Sequence, residues 1–185
     1  MVIKHLMRSQ SLLKNKIPFL IVLIQIFLGV LIAIFFGVNE SFFKDRISTE
    51  LKSHPKMISL AKDPSLAGEQ KMNAFLKKES AKNWRYYQRF HFHSTGVAAM
   101  SLGLLLLLHF LVVPGVKKLV AAYLVSFGGF LYPFVWLFAA IYGPSLGRGV
   151  AKEQFAIFGY MGGVFMLGIL LTIYLTAKYP LQTKS

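Results

Sequence analysis

The sequence contains no cysteine. This excludes disulfide bonds, zinc or iron–sulfur centres with thiolate ligands, and dithiol redox chemistry. A metal ion or a haem would therefore need histidine, methionine, tyrosine or carboxylate ligands. Acidic residues are also scarce, because 7 Asp and Glu stand against 21 Lys and Arg, which gives a net charge of +14.

Recognisable catalytic motifs are missing as well. The chain has no Gly-x-Ser-x-Gly nucleophile turn, no His-Glu-x-x-His metal motif and no phosphate-binding loop that ends in Gly-Lys-Ser/Thr. We therefore predict no catalytic residue, and the sequence favours a role other than that of an enzyme.

Apolar residues make up 55 % of the chain, and they are concentrated in four blocks, at residues 17–37, 94–113, 119–142 and 154–176. Each block has about the 20 residues that a helix needs to cross a bilayer. None has Asp, Glu, Lys or Arg in its interior, which argues against proton- or cation-coupled transport by this chain. The sequence predicts an all-α integral membrane protein whose four transmembrane helices form a bundle.

A loop of 56 residues, 38–93, separates the first two predicted spans and carries 11 basic and 6 acidic residues. Apolar periodicity predicts helices over about 40–51 and 67–90, with Pro55 and Pro64 in the segment that connects them. The apolar content of this loop is too small for an independent core. We expect it to be a partly helical, amphipathic segment that lies on the membrane surface, on a partner, or in solvent as a hairpin.

The distribution of basic residues predicts the orientation in the membrane. The short segments 1–16, 114–118 and 177–185 carry eight of them, whereas the short loop 143–153 carries two. We expect both termini in the cytoplasm, the long loop on the outer side, and a bacterial inner membrane as the location. The positive charge then faces anionic lipid rather than nucleic acid. The eight residues are Lys4, Arg8, Lys14, Lys16, Lys117, Lys118, Lys178 and Lys184.

Small and polar residues recur at helical spacing in every predicted span, and such residues let membrane helices approach closely. In the third span Pro133 removes a backbone donor, which frees the carbonyl of Gly129 and predicts a kink. The residues expected at contacts within the bundle are Gln25, Gly29, Gly96, Gly103, Gly129, Pro133, Gly159 and Gly163.

Histidines are the strongest candidates for ligands. Nothing between Trp84 and His93 breaks a helix, so the helix of the second span is expected to start near residue 84, with His91 and His93 on different faces. His93 would share an inward face with Met100, and His91 would share a face with His109, about 27 Å away. Haem or copper binding is one interpretation; histidines that bind only lipid headgroups, a quinone contact, or no cofactor are the others. The candidate ligands are His91, His93, His109 and Met100, with Met161 and Met166 as further axial candidates.

Three arginines, Arg85, Arg89 and Arg148, are candidates for contacts with anions or lipid headgroups. Arg148 follows the glycine-rich segment 143–147, whose amides favour a phosphate or carboxylate, although a turn with an interfacial arginine explains it more simply. Aromatic residues near the predicted boundaries are expected to form an interfacial belt. They are Trp84, Tyr86, Tyr87, Tyr132, Tyr142 and Tyr179.

Three hypotheses for the function remain. The first is a non-catalytic accessory or assembly subunit of a larger membrane complex, which binds a membrane-protein partner or a second copy of itself. The second is a membrane redox protein that binds haem or metal through His91 and His93. The third is a protein whose 38–93 loop binds anionic lipid at the membrane surface.

Overall fold

The computed structural model describes the backbone of residues 2–182 and the side chains of residues 16–182. Lys4, Arg8, Lys14 and Lys184, which enter the orientation prediction, have side chains outside this described part. Residues 2–182 contain no β-strand. The helices are α1 Val2–Val38, α2 Glu40–Leu51, α3 Pro55–Leu60, α4 Leu66–Phe110, α5 Gly115–Leu131, α6 Phe134–Leu146, α7 Arg148–Gln154 and α8 Ala156–Lys178.

Four helical segments are long and apolar enough to cross a membrane: Lys16–Val38, Leu66–Phe110, Gly115–Leu146 and Ala156–Lys178. The prediction of an all-helical chain with four such segments is confirmed. The third segment comprises α5 and α6, so it is the one that is interrupted along its length.

Helix α4 is much longer than its apolar part. It has 45 residues and is about 67 Å long at 1.5 Å per residue. Its Asp, Glu, Lys and Arg side chains all lie between Glu69 and Arg89, so only the second half is uncharged. The predicted loop helix over 67–90 and the helix of the second span are therefore one continuous helix.

The two ends of α4 have different causes, one local and one involving the C-terminal segment. At the start of α4 the hydroxyl of Ser65 accepts the backbone N–H of Gly68, which satisfies an otherwise unpaired donor of the first turn. The helix ends at Phe110, before the predicted limit of the span at residue 113: Pro114 disfavours helical backbone at Val113, and residues 110–112 pair with residues 180–182. Val112 instead donates its N–H to a carbonyl in the C-terminal segment.

The third apolar segment is broken at Pro133, the position where a kink is predicted. Helix α5 ends at Leu131 and α6 begins at Phe134. Pro133 has no N–H to donate to the carbonyl of Gly129, and the N–H of Trp136 bonds to the Pro133 carbonyl, three residues back. One backbone carbonyl in an apolar helix is thus left for another donor.

The chain divides into two compact units. The first unit comprises the described parts of residues 1–29, 93–132 and 160–185, and the second comprises residues 30–92 and 133–159. In the first unit, the backbone of Gln182 donates to Phe110, and an antiparallel bridge pairs residues 111 and 181. The core of the first unit consists of Val22, Ala98, Leu105, Leu108, Leu111, Ala121, Ala122 and Leu175.

Helices α5 and α8 approach each other closely in the first unit. A Cβ atom built on Gly128 would lie 2.5 Å from the backbone nitrogen of Phe165, and one built on Gly168 would lie 2.8 Å from that of Val125. Backbone atoms cannot rotate away as the end of a side chain can. The two glycines therefore set the distance between these helices.

The predicted contact residues have a mixed outcome. Gln25, Gly29, Gly129 and Pro133 are buried, and a Cβ on Gly159 would make an ordinary contact of 3.8 Å with a valine. The prediction is wrong for three residues whose Cβ atoms would meet no atom of the described residues within 4 Å. The reason is that regular spacing identifies a face of a helix but not whether that face meets another helix of the same chain. The three are Gly96, Gly103 and Gly163.

The second unit has a core of its own, which consists of Ile47, Leu51, Tyr86, Tyr87, Ala139 and Ala140 from α2, α4 and α6. Aromatic rings surround it, with Phe36 at 5.1 Å from both Phe43 and Trp84. Tyr86 and Tyr87 are only 4 % and 3 % exposed, so assigning them to an interfacial belt is wrong. The 38–93 loop obtains a core because α6, from outside the loop, supplies the missing apolar surface.

Candidate functional site

The histidines lie apart in the structure. The His93 ring is 5.5 Å from the Tyr132 ring, in an edge-on arrangement, and the His91 ring is 5.2 Å from that of Phe92. On one continuous helix His91 and His93 are about 200° apart around the axis, so they face different surroundings. Residues 16–182 contain no group of three or more His, Asp or Glu side chains suited to a metal ion. Haem or copper binding stays a sequence prediction.

Met100 does not lie on an inward face with His93. Its side chain is 53 % exposed, and that of Met166 is 55 % exposed. The buried residues of this part of α4 include Ala98 and Ser101, whose positions around the helix axis lie about 160° and 100° from that of Met100. The prediction that Met100 points into the bundle is wrong.

A buried polar contact satisfies the carbonyl that Pro133 leaves free. Gln25 of α1 is 2 % exposed, and its Nε2 donates to the Gly129 carbonyl of α5 at 2.8 Å. An unsatisfied carbonyl in hydrocarbon costs several kcal/mol. The contact therefore explains why a glutamine stands in the middle of an apolar helix.

Two polar atoms next to this contact are buried without a hydrogen-bond partner in the described part of the chain: Gln25 Oε1 and Ser101 Oγ. A Cβ on Gly129 would lie 2.8 Å from Ser101 Oγ, so the three residues form one polar cluster between α1, α4 and α5. None of the three titrates near neutral pH. The cluster can align helices and bind a neutral hydrogen-bonding group, but it cannot carry protons as a carboxylate or histidine can.

Arg148, a predicted anion contact, is engaged by a carboxylate of its own chain. Its Nε donates to Glu79 Oε2 at 2.8 Å and its Nη2 donates to Oε1 at 3.4 Å. The side chains are 29 % and 15 % exposed respectively. The guanidinium also lies 6.0 Å from the centre of the Tyr86 ring. The anion that Arg148 binds is thus Glu79, which joins α7 to α4.

The segment before Arg148 does not form an amide-lined loop. Helix α6 continues through Leu146, and the Gly147 N–H bonds to the Gly143 carbonyl. Gly147 has a φ of +92°, which favours glycine at this single-residue joint. A Cβ on Gly143 would lie 2.8 Å from the buried Oδ1 of Asn83. These glycines serve chain direction and close packing rather than phosphate binding.

The other two predicted lipid-contact arginines differ from each other. The Arg89 guanidinium lies 4.9 Å from the centre of the Trp136 ring and 5.4 Å from that of Tyr86, at cation–π distance from both. Arg85 is exposed. Arg89 thus covers the aromatic core of the second unit, and Arg85 extends from its surface.

One face of α4 in the first unit has no neighbour among the residues that the structure describes. Its residues follow spacings of three, four, three and four, which is the repeat of a helix–helix seam. Small side chains occupy the N-terminal part and the middle of this face, and large apolar side chains occupy its C-terminal end. The residues of this face, called the α4 seam below, are Gly96, Ala99, Gly103, Leu106 and Phe110, and all are exposed.

Sequence reasoning missed Glu79, Asn83, Gly128 and Gly168. The spacing of Glu79, Asn83 and Tyr86 places them on one face of α4, but it does not identify Arg148, 69 residues away in sequence, as the partner of Glu79. Gly128 and Gly168 likewise have no signal in the sequence, because they lie on different helices. The chain matches no protein-family model, no curated protein and no solved structure.

Proposed function

We propose that this chain is an integral membrane protein that acts as a non-catalytic accessory or assembly subunit of a larger membrane complex. Insertion is supported by large apolar side chains that point outward along α1, with exposed fractions of 46–63 %. Such a row would promote aggregation in water but suits contact with lipid. The residues are Leu20, Leu23, Ile24, Phe27 and Val30.

The observation that carries the accessory role is the α4 seam. In a bilayer, apolar side chains alone give helices no reason to associate, because lipid tails are equally apolar. Small residues matter because they allow close backbone approach. Gly96 and Gly103 leave that approach open on the outside of the chain. The occupant that fits is an apolar helix of a partner membrane protein.

Replacing Gly103 by leucine is expected to reduce recovery of the partner about fivefold or more, because overpacking at a close helix contact costs about 1–3 kcal/mol. The experiment places a photoreactive residue at Ala99 in native membranes and identifies the cross-linked protein. That protein is then co-purified with the full-length chain in mild detergent. Gly37→Leu is the matched control, because Gly37 is equally open but lies on α1.

A stable monomer, with Ala99 cross-linked only to lipid, would overturn the accessory role. Cross-links between two copies of the chain would replace the proposed partner by a homo-oligomer. Equal loss of the partner with Gly103→Leu and Gly37→Leu would show that the α4 seam is not the contact surface.

We also propose a bacterial inner membrane as the location, with both termini in the cytoplasm and the 38–93 loop outside. In intact cells a membrane-impermeant thiol reagent is expected to label Ser48→Cys and to leave Ser185→Cys unlabelled until the membrane is opened. Ser48 is exposed, whereas the Ser65 hydroxyl caps α4 and is best kept. The chain has no native cysteine to interfere. The reverse labelling pattern would invert the orientation.

A further inference from the structure

The acidic residues are distributed unevenly between the two units. All seven Asp and Glu residues of the chain fall within residues 30–92 and 133–159, the second unit. The first unit contains eight of the 21 Lys and Arg residues and no acid. A lysine that lies in the first unit therefore has no Asp or Glu side chain within that unit to pair with.

Lys118 is such a lysine, and it borders a cavity of about 220 Å³ in the first unit. The side chain is half-buried, and its Nζ donates to the backbone carbonyl of His109 at 3.2 Å. An ammonium group has three N–H donors, so this bond leaves donors for a second acceptor. His109 itself also borders the cavity.

The rest of the cavity wall combines apolar side chains with the polar Gln182. Phe19 of α1, Leu105 and Leu108 of α4 and Leu119 of α5 contribute to it. The volume is below the range of about 300–1,000 Å³ that encloses a whole drug-sized molecule. A cavity of this size fits a headgroup and the beginning of an acyl chain, with the remainder of the molecule outside.

We propose that this cavity binds the phosphate group of an anionic phospholipid. The Lys118 ammonium pairs with the phosphate, the imidazole of His109 donates a second hydrogen bond, and the acyl chain starts along the leucines. The proposal rests on the membrane insertion proposed above. It concerns a different surface from the arginines Arg85, Arg89 and Arg148 and from the α4 seam.

The test uses the full-length protein in bilayers that contain phosphatidylcholine and phosphatidylglycerol at a ratio of about nine to one. Phosphatidylglycerol is the minor lipid, so that its enrichment on the protein is visible. After extraction in mild detergent, the phospholipids that stay bound are measured by mass spectrometry. Wild type is expected to enrich phosphatidylglycerol, and Lys118→Gln is expected to lower this enrichment about tenfold, because the charge-assisted hydrogen bond to the phosphate is lost. Lys117→Gln is the matched control, because Lys117 is adjacent but contacts Tyr179 instead.

Lys118→Arg should keep the enrichment because it keeps the charge, which separates a lost lipid contact from a folding defect. Equal enrichment in Lys118→Gln and Lys117→Gln, or none in wild type, would overturn the lipid site. Displacement of phosphatidylglycerol by excess inorganic phosphate would assign the cavity to a soluble anion and overturn the lipid. Failure of wild type to enter the bilayer would instead count against insertion itself.

Discussion

Replacing Gly168 by alanine is expected to destabilise the protein by about 2–3 kcal/mol. The new Cβ would lie 2.8 Å from the backbone nitrogen of Val125 and 2.9 Å from its Cγ2. The nitrogen belongs to helix α5 and cannot move alone. Helices α5 and α8 must therefore separate, which also loosens the contact between Gly128 and Phe165 and forfeits dispersion energy along both helices.

Thermal unfolding of the purified full-length protein in a mild detergent, followed by helical circular dichroism, measures this loss. For a chain of this length it corresponds to a midpoint lower by about 5–10 °C. Gly163→Ala is the matched control on the same helix, because within the described ranges no atom lies within 4 Å of its Cβ position. Alanine is also the better helix former, so this midpoint should stay constant or rise.

The same pair of variants separates the sequence pattern from the observed packing. Gly159 and Gly163 form the short-range motif that sequence reasoning selects for α8. In the structure the close approach belongs to Gly128 and Gly168. A lower midpoint for Gly163→Ala, with Gly168→Ala unaffected, would restore the motif and contradict the contact between α5 and α8.

Sequence reasoning succeeds where a structural feature is determined by residues within the same segment of the chain. Four apolar segments follow from length and composition, the helix over 40–51 follows from its apolar periodicity, and the break at Pro133 follows from one missing N–H. Each of these depends on neighbours within a few residues of the chain. No knowledge of the tertiary arrangement is needed for them.

Sequence reasoning fails where the cause lies in another segment. Tyr86 and Tyr87 look like interfacial aromatic residues until α2 and α6 surround them. Arg148 looks like a residue that awaits an anion until Glu79, 69 residues away in sequence, is found beside it. Met100 and Gly103 have the spacing of an inward face, yet that face is exposed. Periodicity describes one helix, whereas burial depends on its neighbours.

Replacing Glu79 by glutamine is expected to destabilise the protein by about 2 kcal/mol, between the values for exposed and fully buried pairs. The Arg148 guanidinium would lose both of its bonds to the carboxylate. Lys56 and Lys152 border the same surface pocket as Glu79 and Arg148, so the negative charge that offsets these cations would be removed. Arg148→Gln should cost less, because Glu79 keeps Lys82 at 3.6 Å. Thermal unfolding in mild detergent measures both variants, and their double mutant isolates the coupling energy.

The effect of Glu79→Gln should depend on pH in one direction. Glu79 lies in the charged half of α4, outside the apolar stretch. Burial raises the pKa of the Glu79 carboxyl, but the hydrogen bond and charge of Arg148 outweigh it and hold the pKa below the ordinary value of 4.5. A carboxyl group whose pKa is lowered by folding stabilises the fold at any pH above its ordinary pKa. This contribution is lost as the pH falls through the lowered pKa. The difference from wild type should persist from pH 7 to about 4.5 and shrink below that.

Glu40→Gln is the control that tests whether the stabilising effect of the Glu79–Arg148 ion pair depends on its burial. Glu40 binds Lys44 at 2.9 Å, nearly the distance between Arg148 and Glu79, but the two side chains are 49 % and 56 % exposed. Water screens such a pair, so its loss should cost about 0.5 kcal/mol or less. A cost equal to that of Glu79→Gln would mean that charge alone, and not the enclosed position between α4 and α7, stabilises the second unit.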